Sequence, residues 1–186
     1  YQLGNASLLG TLSLAGILPA AVALLFVPSL TEKFGMSKTV MISNVIGALT
    51  CIPVIIGGLT ANFTLVLIGM VLRAVTSSPQ TGALNAIIAE TDENIYLKRG
   101  HRLTGMIYSC SSVGIKVGTG LGTALCGFIL DMGGFDGMAE TQTATAVTTI
   151  NWSYLMAVVV PMLLSVIVFY FLNVEDENKK LRAMKE

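Results

Sequence analysis

The sequence predicts an all-α membrane protein that crosses the bilayer five times. Apolar residues make up 53% of its 186 residues and charged residues only 12%, and its mean hydropathy is +0.75. Water-soluble domains of this length are less apolar. The formal net charge is zero, so no overall field attracts a nucleic acid, and the positions of individual charges carry the information.

Five apolar stretches reach the roughly 20 residues that a helix needs to cross the hydrocarbon core. They cover residues 7–30, 39–58, 63–88, 103–130 and 152–172, and a tail follows at 173–186. Four of these spans contain a proline. Neighbouring membrane helices can satisfy the carbonyls that a proline leaves free, so we expect kinks rather than helix ends at Pro19, Pro53, Pro79 and Pro161.

The connections between the spans indicate their orientation. Lys and Arg occur in TEKFGMSK (31–38), in AETDENIYLKRGHR (89–102) and in the tail, but neither in LTAN (59–62) nor in residues 131–151. Cytoplasmic connections of membrane proteins are enriched in Lys and Arg, so the first three segments are predicted to be cytoplasmic and the other two external. This places Tyr1 outside, and we expect the chain to be the inner piece of a longer protein.

Two basic residues remain, Arg73 and Lys116, and both lie inside predicted spans. Each costs about 2.5 to 3.5 kcal/mol at a helix centre on insertion scales. Ser112, Thr119 and Thr123 share one helix face with Lys116 at spacings of three and four residues. We expect this face to meet an aqueous cavity; the alternative is that Lys116 extends along its aliphatic stem to an interface.

A separate stripe of glycines on the same helix, residues 114, 118 and 122, predicts close packing against another helix. All eleven Asp and Glu residues lie in connections, at span ends or in the tail, so no span offers Lys116 a carboxylate. We therefore expect its anionic partners to lie in another part of the protein or in another subunit.

Arg73 lies on a face with Thr76, Ser77 and Gln80. Because a guanidinium stays charged, it needs water or an acceptor. We expect this face to line the cavity as well, with extension of Arg73 towards the external side as the alternative.

Enzyme chemistry is not indicated. The chain has a single histidine, His101, in a basic connection, and no Ser-His pair or paired acids at membrane depth. Cys51, Cys110 and Cys126 lie in apolar segments without metal-ligand neighbours, so neither a metal site nor a disulfide framework is predicted. No cofactor other than a coupling cation is expected.

The run AETDENIYLKRGHRLTGMIYSCSSVGIKVGTGLG, residues 89–122, resembles the glycoside-pentoside-hexuronide:cation symporters of the major facilitator superfamily, which include the melibiose carrier. The family pattern combines an acidic motif, a Lys-x-Gly-x-Arg-x-x-Gly motif, and a lysine eight residues after a Tyr-Ser pair. The matching residues are Ala89, Glu90, Glu93, Lys98, Gly100, Arg102, Gly105, Tyr108, Ser109 and Lys116.

The stretch TEKFGMSK also resembles the superfamily's loop between helices eight and nine, through Glu32, Lys33 and Gly35. The resemblance implies that the five spans are helices eight to twelve of a twelve-helix fold, with Tyr1 at the outer end of helix seven. It further implies that the chain is the carboxy-terminal half, and that the amino-terminal half carries acidic residues binding Na⁺ or H⁺.

In this family the lysine corresponding to Lys116 lies near the sugar and the coupling cation, and the loop before it helps to close the cytoplasmic side. The resemblance therefore implies a cytoplasmic gate formed by Glu90, Glu93 and Arg102. Together with the polar faces described above, it gives a candidate substrate and coupling site of seven residues: Lys116, Ser112, Thr119, Thr123, Tyr108, Arg73 and Gln80.

The chain departs from the family pattern at three positions. Asn94 stands where relatives usually have an aromatic residue, Thr104 where many have an acid, and Asn85 roughly where several sugar-binding members have a tryptophan that could stack on a sugar ring. These departures bear on the substrate more than on the class of protein.

The expected function is cation-coupled symport of a sugar or glycoside by alternating access, in a multi-pass protein of the cell membrane. The expected partners are the sugar, membrane lipid and the amino-terminal half of the same transporter, and no nucleic acid. Two alternatives stay open: a transporter of the same fold for another substrate such as a lysolipid, and a non-transporting membrane subunit or sensor.

Overall fold

The computed structural model describes residues 8–139 and 141–185, and these ranges contain helices and no strand. The predicted start of the first span at Ser7, the placement of Tyr1 and the end of the tail at Glu186 lie outside them. The helices are α1 (Leu8–Leu24), α2 (Val27–Phe34), α3 (Met36–Leu59), α4 (Phe63–Arg99), α5 (Thr104–Met132), α6 (Ala144–Phe171) and α7 (Val174–Ala183). The predicted all-α class is confirmed.

The long apolar helices are sufficient in number for four or five membrane crossings. Four helical segments, α3, α4, α5 and the one that begins with α6, are long and apolar enough to span a bilayer. The pair α1 and α2 gives a fifth if it counts as one span, although the two helices meet at an angle of 52°.

The prolines inside these segments do not end the helices, as expected. Pro19, Pro53, Pro79 and Pro161 each lie within a continuous helix. The sharp bend of the first segment comes instead between α1 and α2, where Pro28 lies in the first turn of α2. A proline fits that position because the first turn of a helix leaves its N–H groups without helical partners.

Helix α4 contacts five other helices, α1, α2, α3, α5 and α7, while α3 packs on α4 and also on α6. The closest approach between α3 and α4 uses two glycines. A Cβ at Gly57 would lie 2.7 Å from the Val66 nitrogen, and one at Gly69 would lie 2.8 Å from the Val54 nitrogen. Only a residue without a side chain permits this separation, as is common where membrane helices pack tightly.

The predicted glycine stripe of α5 behaves differently. Nothing lies within 4 Å of a Cβ placed at Gly114, Gly118 or Gly122, and no residue of α5 is buried. Helix α5 contacts α4 and α6 at the edge of the bundle. The expected close packing of this stripe is therefore absent among the described residues, because no helix described here lies on that side of α5.

The connection expected at residues 89–102 is mostly helical. Helix α4 continues without a break to Arg99 and ends at Gly100, whose φ of 75° suits glycine. The tail, expected as a charged extension, forms α7, which folds back onto α4. The external connection is also shorter than expected, because Thr143 caps the start of α6 by accepting a hydrogen bond from the Ala146 nitrogen.

Candidate functional site

The polar face of α5 is open. Ser112, Lys116, Thr119 and Thr123 are all exposed on a continuous helix. A shallow concavity of about 570 Å³ is lined by Lys116, Thr119, Gly120, Thr123 and Ala124. The structure thus brings three of the predicted site residues to one surface, and Ser112 lies one turn from Lys116 on the same helix.

The hydroxyl groups of this face differ in their availability. The Thr119 hydroxyl donates to the main-chain carbonyls of Ile115 and Lys116, at 2.8 and 3.1 Å, so its oxygen is left as an acceptor. Tyr108, eight residues before Lys116, is 41% exposed. Tyr108 does not line the concavity, so a ligand there would meet a cation and hydroxyl oxygens.

No carboxylate of the described residues forms an ion pair with Lys116. The ion pairs in the described part of the chain all lie near the ends of α4, α5 and α7. Groups of three or more His, Cys, Asp or Glu able to hold a metal ion are also absent from the described part of the chain. The exposed surface around Lys116 is therefore suited to an anionic or hydroxyl-rich partner, because a partner that covers an ammonium must supply an acceptor for it.

Arg73 does not line the concavity of Lys116. Its guanidinium lies 5.7 Å from the ring centre of Tyr154 on α6, which is a cation–π distance. The Arg73 Nε and the Tyr154 hydroxyl are both buried without a hydrogen-bond partner. Gln80, two turns further along α4, is half-buried. The structure thus leaves Arg73 and Gln80 outside the concavity of Lys116 and places the Arg73 guanidinium beside Tyr154 of α6.

The three predicted gate residues meet at the other end of α4. The Arg102 guanidinium lies 3.0 Å from Glu93 and 4.9 Å from the ring centre of Tyr96. Arg182 of α7 approaches Glu90 at 3.5 Å and Glu93 at 3.9 Å. The acids of α4 therefore hold one arginine before α5 and another from α7.

Asp92 is a further member of this cluster, and sequence reasoning missed it. Its side chain is buried, at 3% exposure. It accepts hydrogen bonds from the Leu103 nitrogen at 3.0 Å and the Thr104 hydroxyl at 2.5 Å, and it lies 3.7 Å from Arg102. Because α5 has no side-chain cap of its own, Asp92 supplies an acceptor at the start of the helix that carries Lys116.

Asn178 of α7 was also missed. It is fully buried, and its amide nitrogen donates to the main-chain oxygen of Glu90 at 2.8 Å and to the Glu90 carboxylate at 2.6 Å. Its amide oxygen accepts a hydrogen bond from Asn94 at 2.8 Å. The polar residue at position 94, where an aromatic residue was expected by resemblance, thus pairs with the tail helix.

A solvent-exposed ion pair extends this contact. Lys98 lies 2.7 Å from Glu177, and Asn94 donates to the same carboxylate at 3.1 Å. The hydrogen bonds from Lys98 and Asn94 hold the pKa of Glu177 below its usual value. Ala83, Ile87 and Asn94 lie at helical spacing on one buried face of α4, so the sequence carries a signal for the continuation of α4 past residue 88 but none for the docking of α7.

Comparison with known proteins decides the family. The chain matches the family model of MFS/sugar transport proteins over residues 1–176. It belongs to this family. The match confirms the predicted membership of the major facilitator superfamily, among sugar-symporter-like proteins. Together with the apolar helices, it indicates that the MFS/sugar transport chain is a multi-pass membrane protein.

Two curated relatives support the assignment. The MFS/sugar transport chain is 30% identical over 185 residues to a Bacillus subtilis (strain 168) protein named "Uncharacterized symporter YnaJ", covering 97% of this chain and 38% of that protein. It is 25% identical over 166 residues to the "Isoprimeverose transporter" of Lactiplantibacillus pentosus, covering 89% of this chain and 34% of that protein. The chain thus spans little more than a third of each relative. No solved structure matches it significantly.

Proposed function

We propose that the full-length protein couples the movement of a sugar or glycoside across the cell membrane to entry of Na⁺ or H⁺. The observation that carries the proposal is Lys116, a lysine near the middle of an apolar helix, exposed beside a shallow concavity and without a carboxylate partner among the described residues. The names of the two relatives, a symporter and an isoprimeverose transporter, support it.

The coupling rests on competition for negative charge. In this proposal the amino-terminal half packs against the open face of α5 and brings acidic residues to Lys116. A cation bound to those acids removes them as partners of the ammonium, and the sugar hydroxyls then replace them. Cation and sugar together stabilise an occluded state that neither stabilises as well alone.

The other site residues have matching proposed roles. Ser112 and Thr123 offer hydroxyl groups to the sugar, Thr119 offers an oxygen that is still free to accept, and Tyr108 contributes a ring edge to the same path. Gln80 borders it from α4. Arg73 acts away from the concavity, where its guanidinium meets Tyr154 of α6, and affects the substrate through the position of α4.

The cytoplasmic gate is the second part of the proposal. Glu90, Glu93 and Arg102 close the cytoplasmic side while the two halves of the protein rock about the central site. The contacts of Arg102 and Arg182 with Glu93 support this role, since ion pairs at the rim of a closed gate can break when it opens. Exposed pairs of this kind are worth only about 0 to 1 kcal/mol each, which suits reversible opening.

Uptake by the full-length protein in proteoliposomes tests the proposal. Radiolabelled sugars, isoprimeverose and melibiose among them, are supplied with an inward Na⁺ gradient, an inward H⁺ gradient or neither. We expect at least one sugar to accumulate above its external concentration only with a cation gradient. Equal uptake with and without both gradients contradicts cation coupling. Uptake of lysophospholipid but of no sugar contradicts the substrate class.

A further inference from the structure

Helix α5, which carries Lys116, is covered by the rest of the described chain mainly near its two ends. Every residue from 112 to 125 is exposed. The partly buried residues of the helix, two near its start and three near its end, are Ile107, Ser111, Cys126, Ile129 and Leu130. The exposed middle of α5 therefore contributes little to fixing the position of the helix against α4 and α6.

The glycines of α5 show the same difference along the helix. A Cβ placed on any of the glycines from 105 to 127 would have no neighbour within 4 Å. Gly133, which caps the end of the helix, differs because a Cβ there would overlap the Thr149 side chain of α6. Two carbon atoms in ordinary contact are about 3.5 to 4.0 Å apart. The predicted external end of α5 thus lies so close to α6 that only glycine fits.

The other end of α5 is fastened to α4 by Asp92. Its buried carboxylate accepts hydrogen bonds from the Leu103 nitrogen and the Thr104 hydroxyl, at the first residues of the helix. A carboxylate at this position also interacts favourably with the helix dipole. Helix α5 is 29 residues long, and Lys116 lies between the two attachments, well away from each.

We propose that Asp92 and the contact of Gly133 with Thr149 are positioning elements for Lys116; this inference rests on the proposed function of that lysine. Neither attachment lines the concavity beside Lys116, so both act through the helix. Because α5 is continuous and has no proline, two fixed ends set its tilt and its rotation about its own axis. A displacement of about 1 Å in a positioned group can cost up to about 100-fold in rate.

The first test measures the distance between α4 and α5 in the full-length protein by electron paramagnetic resonance. Spin labels are attached at Leu72→Cys and Leu121→Cys, both at exposed positions, with the two native thiols of α5 replaced by serine. We expect Gly133→Ala to change the mean distance by about 1 Å or more, because the added Cβ needs that space. Asp92→Ala should broaden the distance distribution. Gly127→Ala, at an open position of the same helix, is the matched control and should leave the distance unchanged.

The second test measures sugar uptake in proteoliposomes. Asp92→Ala should raise the KM for the sugar about tenfold and change the maximal rate less, because Lys116 is present but displaced. Asp92→Asn keeps an acceptor and caps a helix about as well as aspartate, so its KM should stay within about twofold of that of the unaltered protein. A lower maximal rate with an unchanged KM indicates only a loss of folded protein and overturns the positioning role. An equal rise in KM in both variants also overturns it, since the charge of Asp92 would then act through Arg102.

The two tests distinguish this inference from the proposed function. The spin labels report the position of α5 whether or not the protein carries a sugar. A changed distance in a protein that takes up no sugar supports the attachments and contradicts the proposed function. Equal distances in Gly133→Ala, Asp92→Ala and Gly127→Ala overturn the attachments, even if the protein is an active symporter.

Discussion

Asn178 of α7 and Glu90 of α4 are joined by two hydrogen bonds, one to the main-chain oxygen at 2.8 Å and one to the carboxylate at 2.6 Å. Asn178 is fully buried, and Asn94 donates to its amide oxygen. This contact fastens the tail helix to the part of α4 that leads into α5. The predicted gate acids are therefore held from two sides, by the tail and by the segment before α5.

Asn178→Ala should release the tail helix. The change removes the two hydrogen bonds that Asn178 donates to Glu90 and the one that it accepts from Asn94, each with a net value of about 0.5 to 1.5 kcal/mol. We expect faster amide hydrogen exchange throughout α7 in the full-length protein. Asn173→Ala, at an exposed position just before α7, is the control and should leave the exchange unchanged. Equal protection of α7 in both variants contradicts the fastening role.

Asp92→Ala should destabilise the start of α5. It removes the acceptor for the Leu103 nitrogen and the Thr104 hydroxyl, and we expect the free energy of unfolding to fall by about 1 to 3 kcal/mol. Denaturant unfolding of the full-length protein in detergent measures the change. Glu93→Ala removes a more exposed partner of Arg102, so its cost should stay below about 1 kcal/mol. If Glu93→Ala lowers the free energy of unfolding more than Asp92→Ala does, the hydrogen bonds of Asp92 are not the main stabilising contacts at the start of α5.

Acid should weaken the docking of α7. The pKa of Glu177 is lowered by hydrogen bonds from Lys98 and Asn94, so its carboxylate form is favoured in the folded protein. The resulting stabilisation is present above its unfolded pKa of about 4.3 and is lost as the pH falls through the lower folded value. After correction for the intrinsic exchange rate, the rate of amide hydrogen exchange in α7 should rise as the pH falls from about 5 to about 3. Glu177→Gln should flatten this part of the pH dependence; an unchanged profile argues against the Lys98–Glu177 pair as its source.

The sequence predicts the apolar helices and their polar faces well, because hydropathy and helical periodicity depend on local residues alone. Helical spacing predicts that Lys116 shares one face with Ser112 and Thr119, and α5 is a single helix that exposes all three. The sequence alone cannot predict what contacts that face, because such contacts join residues that are far apart in a chain.

The polar contacts between α7 and the carboxy-terminal end of α4 could not be predicted, because they join residues far apart in the chain. Asn178 lies 88 residues from Glu90. The charged tail has no periodic apolar pattern that would predict the docking of α7 on α4. The contact of Arg73 depends on a distant part of the chain in the same way. Helical spacing predicts that Arg73 shares a face with Thr76 and Gln80, but it does not predict that the guanidinium lies 5.7 Å from the ring centre of Tyr154 on α6.

The most direct test of the account is uphill transport by Lys116→Ala in the full-length protein. Proteoliposomes are loaded with the transported sugar and assayed both for exchange without a gradient and for accumulation with a cation gradient. The account predicts that accumulation is lost in Lys116→Ala, while Lys180→Gln accumulates sugar normally. If Lys116→Ala accumulates sugar against its gradient as well as the unaltered protein, Lys116 is not a coupling residue and the central claim fails.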